Sequence, residues 1–159
     1  MKINALEVLK RIGKLDMIPE RMLLKIRPDE RSHFRYFGWL KIGVVVIGKE
    51  PSWIHTHWIE QRIKKEFGHC NELMLFLFTL FHEIGHYYAS MEGVENDPLS
   101  ESILNIMYAI ASTREQHLDV QKRYRKLAAE AFCDDFAIEQ IKNLFNKERR
   151  MIYSGESQS

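Results

Sequence analysis

Residues 82 to 86 read His-Glu-Ile-Gly-His, and both the residue types and their spacing carry chemistry. On an α-helix, residues four apart are offset by about 40° and one turn of rise, so His82 and His86 can aim two imidazoles at a single ion. Glu83 projects beside them, where it can hold a water at the metal and take its proton, the general-base role in metal-assisted hydrolysis. The bland alternative is a pair of core histidines bonded to backbone. The surroundings argue against it. The segment from Asn71, a capping residue, to Gly93, a stop, is apolar nearly all round a helical wheel, and its polar exceptions Glu72, Thr79, His82, Glu83, His86 and Ser90 share one arc of about 100°. A buried helix with one polar stripe needs a partner for that stripe, because each unpaired buried polar group costs about 1 to 3 kcal/mol.

Catalytic zinc usually has three protein ligands and a water, so a third ligand must come from elsewhere. Glu130 is the leading candidate. On the last helical stretch Leu127, Ala131, Ile138, Ile141 and Phe145 cluster on one side, and Glu130 and Asp134 fall on the same inward stripe. Two core-facing carboxylates are costly unless paired or bound to a metal. Glu130 as ligand, with Asp134 one turn later accepting the second N–H of a ligand histidine, satisfies both. His117 is an alternative, and Glu115 and Glu139 are further candidates although they face solvent on the wheel.

His-Glu-Ile-Gly-His followed by Glu130-Ala-Phe-Cys-Asp134-Asp135-Phe136-Ala137 resembles the ImmA/IrrE family of zinc metallopeptidases over about residues 36 to 140, and agrees with the wider gluzincin pattern of HExxH with a later ExxxD. The resemblance implies a zincin-like domain holding one zinc ion per chain through His82, His86 and Glu130, with Glu83 as catalytic base and Asp134 behind the ligands. It also implies an endopeptidase that cuts a helix-turn-helix repressor. Two departures stand out: Cys133 takes the place of an alanine, and 43 residues separate His86 from Glu130.

The elements that must position these groups are mostly helical. Leu6, Leu9 and Ile12 share a helical face between Asn4 and Gly13; a second short helix is expected from Pro19 to just before Pro28. Residues 34 to 49 switch to aromatic and β-branched residues punctuated by glycine, which predicts a hairpin or two short strands. Helical spacing resumes after Pro51 with Ser52 as cap. Asp97-Pro98 opens a helix to about Ser112, and Thr113 with Gln116 forms a capping box for a last helix, with a possible break, to about residue 148. The fold class is therefore α+β, mostly helical, with a small sheet near the HExxH helix. One domain is expected over 1–159: an N-terminal helical segment (1–33), a catalytic core (34–145) and a flexible tail (150–159).

Composition narrows the function classes. With Lys+Arg 23 against Asp+Glu 22, the net charge of +1 offers no global attraction for nucleic acid, and the basic run Lys122, Arg123, Arg125, Lys126 reads as a solvated face. The longest apolar run is too short to span a membrane. Cys70 and Cys133 are far apart, and no signal-peptide pattern opens the chain, so a reducing cytoplasm is expected. Two readings follow: a zinc endopeptidase whose substrate lies along a strand edge in the Trp39 to Ile47 region, or a non-catalytic zinc-binding regulator or toxin-like interaction protein. Tyr87, Tyr88, Tyr108, His117 and Tyr124 are candidates for stabilising an oxyanion.

Overall fold

The computed structural model describes residues 5–27, 32–37, 42–47 and 53–154. Its elements run α1 (Ala5–Lys14), β1 (Met22–Ile26), β2 (His33–Phe37), β3 (Ile42–Ile47), α2 (Trp53–Phe67), α3 (Glu72–Glu92), α4 (Pro98–Ile110), α5 (Arg114–Tyr124) and α6 (Ala128–Ser154). The described residues are mostly helical with a small sheet, as the periodicities predict, and the sheet has three strands where two were expected.

Helix α3 is the centre of the molecule. Its start is held by Asn71, whose side-chain oxygen accepts from Met74 N at 2.9 Å, and its end by Gly93 in the left-handed region at φ 71°. Between these, Met74, Leu77, Phe78, Leu80, Phe81 and Ile84 are almost completely buried, so the apolar girdle is in contact on several sides. Helix α6 covers one side, the β2–β3 part of the sheet another, and α2 a third. Replacing Asn71 with Ala removes the side-chain acceptor that caps this helix and should cost about 1 kcal/mol, with Asn71→Asp close to wild type, as read by chemical denaturation.

The α3–α6 approach is set by a small residue. A Cβ placed on Gly85 would meet Cys133 Cα at 3.0 Å and Cys133 Sγ at 3.3 Å, so the fourth residue of the HExxH motif has to be small for the backbones to come this close. The buried stripe of α6 is centred on Cys133, Ala137, Ile141 and Leu144. That is rotated from the wheel reading: Ala131 and Phe145 are half-buried and Leu127 sits in the turn before the helix. The rotation leaves Glu130 nearer the middle of the packed face. Asn96, in the connection after α3, accepts from Ala129 N at 2.8 Å and ties the first turn of α6 to the end of α3.

Three expectations need correction. The segment from Pro19 to Pro28 contains strand β1, not a helix: Met22 to Ile26 pair in parallel with Gly43 to Ile47. Strand β3 is the central strand, in the order β1-β3-β2, so the Trp39 to Ile47 region provides no edge among the described residues; the edges are β1 and β2. In α1, Leu9 and Ile12 are buried but Leu6 is exposed, and the helix continues through Gly13, with Asp16 taking the left-handed conformation at φ 56°. The expected caps Asn4 and Ser52, residue Trp39 and the tail at 155–159 lie outside the described residues. Residues 150–154 belong to α6.

Two expected helix starts and the expected break are present. Asp97 accepts from Ser100 N at the start of α4, and Thr113 and Gln116 form the reciprocal capping box of α5. The break in the last helical stretch is the turn between α5 and α6. No helix among the described residues is long and apolar enough to cross a membrane.

Candidate metal centre

His82 and His86 leave the same side of α3, their rings 5.0 Å apart and nearly perpendicular. Glu130 comes from the first turn of α6 and reaches both: Oε2 lies 3.2 Å from His82 Nε2, and Oε1 lies 3.8 Å from His86 Nε2. His82, Glu130 and Asp134 are all buried, at 7%, 4% and 9% exposure, so these contacts are made in a largely desolvated pocket. Phe78 stacks beside the His82 ring, and Phe34 of β2 lies parallel to the His86 ring at 6.4 Å.

The second nitrogen of His82 is fixed from behind. Its Nδ1–H donates to Asp134 Oδ1 at 2.8 Å, which leaves Nε2 as the nitrogen facing Glu130. The same Asp134 oxygen accepts from Arg125 Nη1 at 2.8 Å, and the Tyr124 hydroxyl donates to Glu130 Oε1 at 2.9 Å. Tyr124 and Arg125 close α5, so the end of that helix braces both carboxylates. Arg125 therefore leaves the solvated basic face to which its neighbours belong: Lys122 lies over the Trp58 ring and Arg123 pairs with Asp119. No buried side-chain nitrogen or oxygen among the described residues lacks a partner.

The electrostatics follow from this packing. Burial alone would lower the pKa of His82, but its hydrogen bonds to Asp134 and Glu130 outweigh that and lift it to about 9. Burial likewise raises Glu130, and the His82 contacts, His86 and the Tyr124 hydroxyl outweigh it, taking the carboxyl down to about 2. His86 moves down, because burial and the His82 charge both disfavour its protonated form. Burial pushes the Glu83 carboxyl up, against the pull of His82. Without a metal, a proton on His82 Nε2 offsets the Glu130 charge.

Cys133, which takes the place of an alanine in the resemblance, adds a further donor. His82, His86 and Cys133 offer ligand atoms all within 4.8 Å of one another, close enough to bind a metal ion. The thiol is fully buried against Gly85, and burial together with the nearby carboxylates pushes its pKa up. Its signal in the sequence is positional: Cys133 lies three residues after Glu130 on the inward face of α6.

The other candidates fall elsewhere. His117 donates through Nδ1 to Thr113 O at 2.8 Å and packs on Tyr108, outside the cluster around His82 and His86. Tyr88 packs on Phe136, and Tyr87 meets Phe34 edge-on. Of the five oxyanion candidates, Tyr124 is hydrogen-bonded to a site residue, Glu130.

Asp134 and Asp135 provide an internal comparison, because Asp135 points outward to Arg62 at 2.7 Å. Asp134→Ala should weaken metal binding by about 10- to 100-fold, since it frees His82 Nδ1 and strands Arg125. Asp135→Ala should leave the affinity unchanged in a competitive chelator titration. Equal losses in the two variants would contradict this arrangement.

Comparison of the chain with family models, curated proteins and solved structures finds no match.

Proposed function

We propose that this chain is a zinc-dependent endopeptidase of the ImmA/IrrE type with a zincin-like fold, acting in the cytoplasm on a helix-turn-helix repressor. The observation that carries the reading is the convergence of His82, His86 and Glu130 from two helices, with the Glu130 carboxylate within 3.2 and 3.8 Å of the two Nε2 atoms. Two imidazoles and one carboxylate are a donor set suited to zinc, and the Asp134 hydrogen bond fixes the His82 tautomer as such a site requires. His82, His86 and Glu130 would hold the ion, which when bound acts as a Lewis acid toward water and the scissile carbonyl.

The chain's own residues supply the rest. Glu83 is the general base: it takes the proton of the attacking water and returns it to the leaving amine, and burial tunes its carboxyl toward the working pH. Tyr124 steadies Glu130, and Arg125 holds Asp134 in place as the acceptor of the His82 hydrogen bond. The strand beside the histidines is β2, through Phe34, and β2 is an edge of the sheet. An extended substrate adding to that edge would be held by main-chain hydrogen bonds that read little side-chain sequence. Selectivity then comes from docking of a folded partner.

A second reading is a non-catalytic zinc-binding regulator or toxin-like interaction protein, and Cys133 favours it. A thiolate joining His82, His86 and Glu130 would give four protein ligands, the closed arrangement of structural zinc. The deciding experiment incubates zinc-loaded and chelated protein with helix-turn-helix repressors and with an unfolded generic polypeptide, sizing products by mass spectrometry. Cleavage of a repressor that stops on chelation and returns with zinc is expected, with the generic chain cut poorly. No cleavage by protein that retains its zinc would move the conclusion to the second reading.

A further inference from the structure

Helix α4 is apolar on two faces, and among the described residues only one of them is packed against the rest of the chain. Leu104 is buried and Tyr108 packs on His117, so this side attaches α4 to α5. On another side Leu99, Ile103, Ile106 and Ile110 are 68%, 48%, 62% and 75% exposed. Their spacing of four, three and four is that of alternating d and a positions over two heptads, which lines them up as one seam.

We propose that this seam is a self-association surface, at which two copies of the chain pair antiparallel through α4. Three properties of the stripe select a second copy. First, it is symmetric about its own midpoint: a two-fold axis crossing the helix between Leu104 and Asn105 sets Leu99 opposite Ile110 and Ile103 opposite Ile106, so the surface is complementary to itself. Second, the flanking positions Ser100, Ser102, Met107 and Ala109 carry no charge, so two copies meet without like-charge repulsion, and nothing in the seam steers a charged partner. Third, the four side chains expose on the order of 500 Å², the size of the largest patch on a typical monomer and often functional. Two such faces bury about 1,000 Å² in total, the lower bound for a specific interface. The proposal is independent of the metal centre, since none of these residues touches it.

Sedimentation velocity over a range of concentrations tests the pairing on the full chain. Wild type should show a reversible monomer–dimer equilibrium. Ile106→Glu and Ile103→Lys, each at an exposed position, should weaken association by about 30-fold or more while leaving the far-ultraviolet helix signal unchanged. The double variant Ile103→Lys/Ile106→Glu should regain association, because antiparallel pairing sets Lys against Glu at both contacts; a parallel pair would set like charges together and stay apart. Wild type that remains monomeric at its highest soluble concentration overturns the proposal, even if it captures an unrelated peptide or vesicle. Unchanged dimerisation in both single variants, or in a milder Ile106→Ser variant that keeps the wild-type Tm, overturns it as well.

Discussion

Protein carrying Glu83→Gln should retain its zinc and lose about 10²- to 10⁴-fold of its hydrolytic rate. Glutamine preserves the size of the side chain and a hydrogen-bonding group, but it accepts no proton at neutral pH. Glu83 lies beside the His82–Glu130 pair without being hydrogen-bonded to it, so the ligand geometry has no reason to move. The pH profile gives a second readout. Burial raises the Glu83 carboxyl, so in wild type the active, deprotonated base is lost as pH falls through that raised value, and the rate falls on the acid side. In Glu83→Gln that acid limb should disappear from the residual activity. Undiminished cleavage in the variant would refute the assignment of the base.

The parts of this molecule that were legible in the sequence are those written by local rules. Asn71, Asp97 and the Thr113–Gln116 pair each cap the helix that their spacing announces, because a cap is settled within three residues. The polar arc on α3 was legible for a related reason: on a helix buried on several sides, a stripe of His and Glu has to be answered by another element, and Glu130 and Asp134 answer it. What failed was non-local. Met22 to Ile26 is too short for its period to separate strand from helix, and its partner lies about twenty residues further along, so the prolines on either side carry the local signal of a helix. The central place of β3 did leave a trace. Val44 to Ile47 is apolar without alternation, and Val45, Val46 and Ile47 are all buried, the pattern of a strand covered on both faces and not of an edge.

The bracing residues of the site were hidden by a change of phase. Tyr124 and Arg125 end one helix and Glu130 and Asp134 begin the next, so the turn between them breaks any single helical wheel on which they could be aligned. In the sequence Arg125 is one more member of a basic run, and only its hydrogen bond to Asp134 sets it apart. Cys133 was hidden by its size: a thiol replaces a methyl group with little change in packing, and only its position against Gly85, beside two imidazoles, gives it a chemical meaning.

That ambiguity makes the ligand set the most informative target after Glu83. If Glu130 completes the site, Glu130→Ala should lower zinc affinity by more than the roughly 10- to 100-fold typical of residues behind a ligand, and Cys133→Ala should leave it near wild type. Glu130→Gln guards against a folding defect, since its amide oxygen still accepts from Tyr124 while offering a poorer ligand than a carboxylate. The wild-type affinity should itself rise with pH up to about 9, the pKa of His82 in the metal-free site, because zinc has to displace the proton held between His82 and Glu130. Cobalt substitution separates the two donor sets directly. Nitrogen and oxygen ligands give cobalt only weak visible bands, whereas a thiolate adds an intense sulfur-to-metal charge-transfer band in the near ultraviolet. Its absence is expected in wild type. A strong band that vanishes in Cys133→Ser, with zinc retained in Glu130→Ala, would make Cys133 the ligand and Glu130 the outer partner. A strong band together with zinc loss in Glu130→Ala would mean that both side chains bind, closing the shell and favouring the non-catalytic reading.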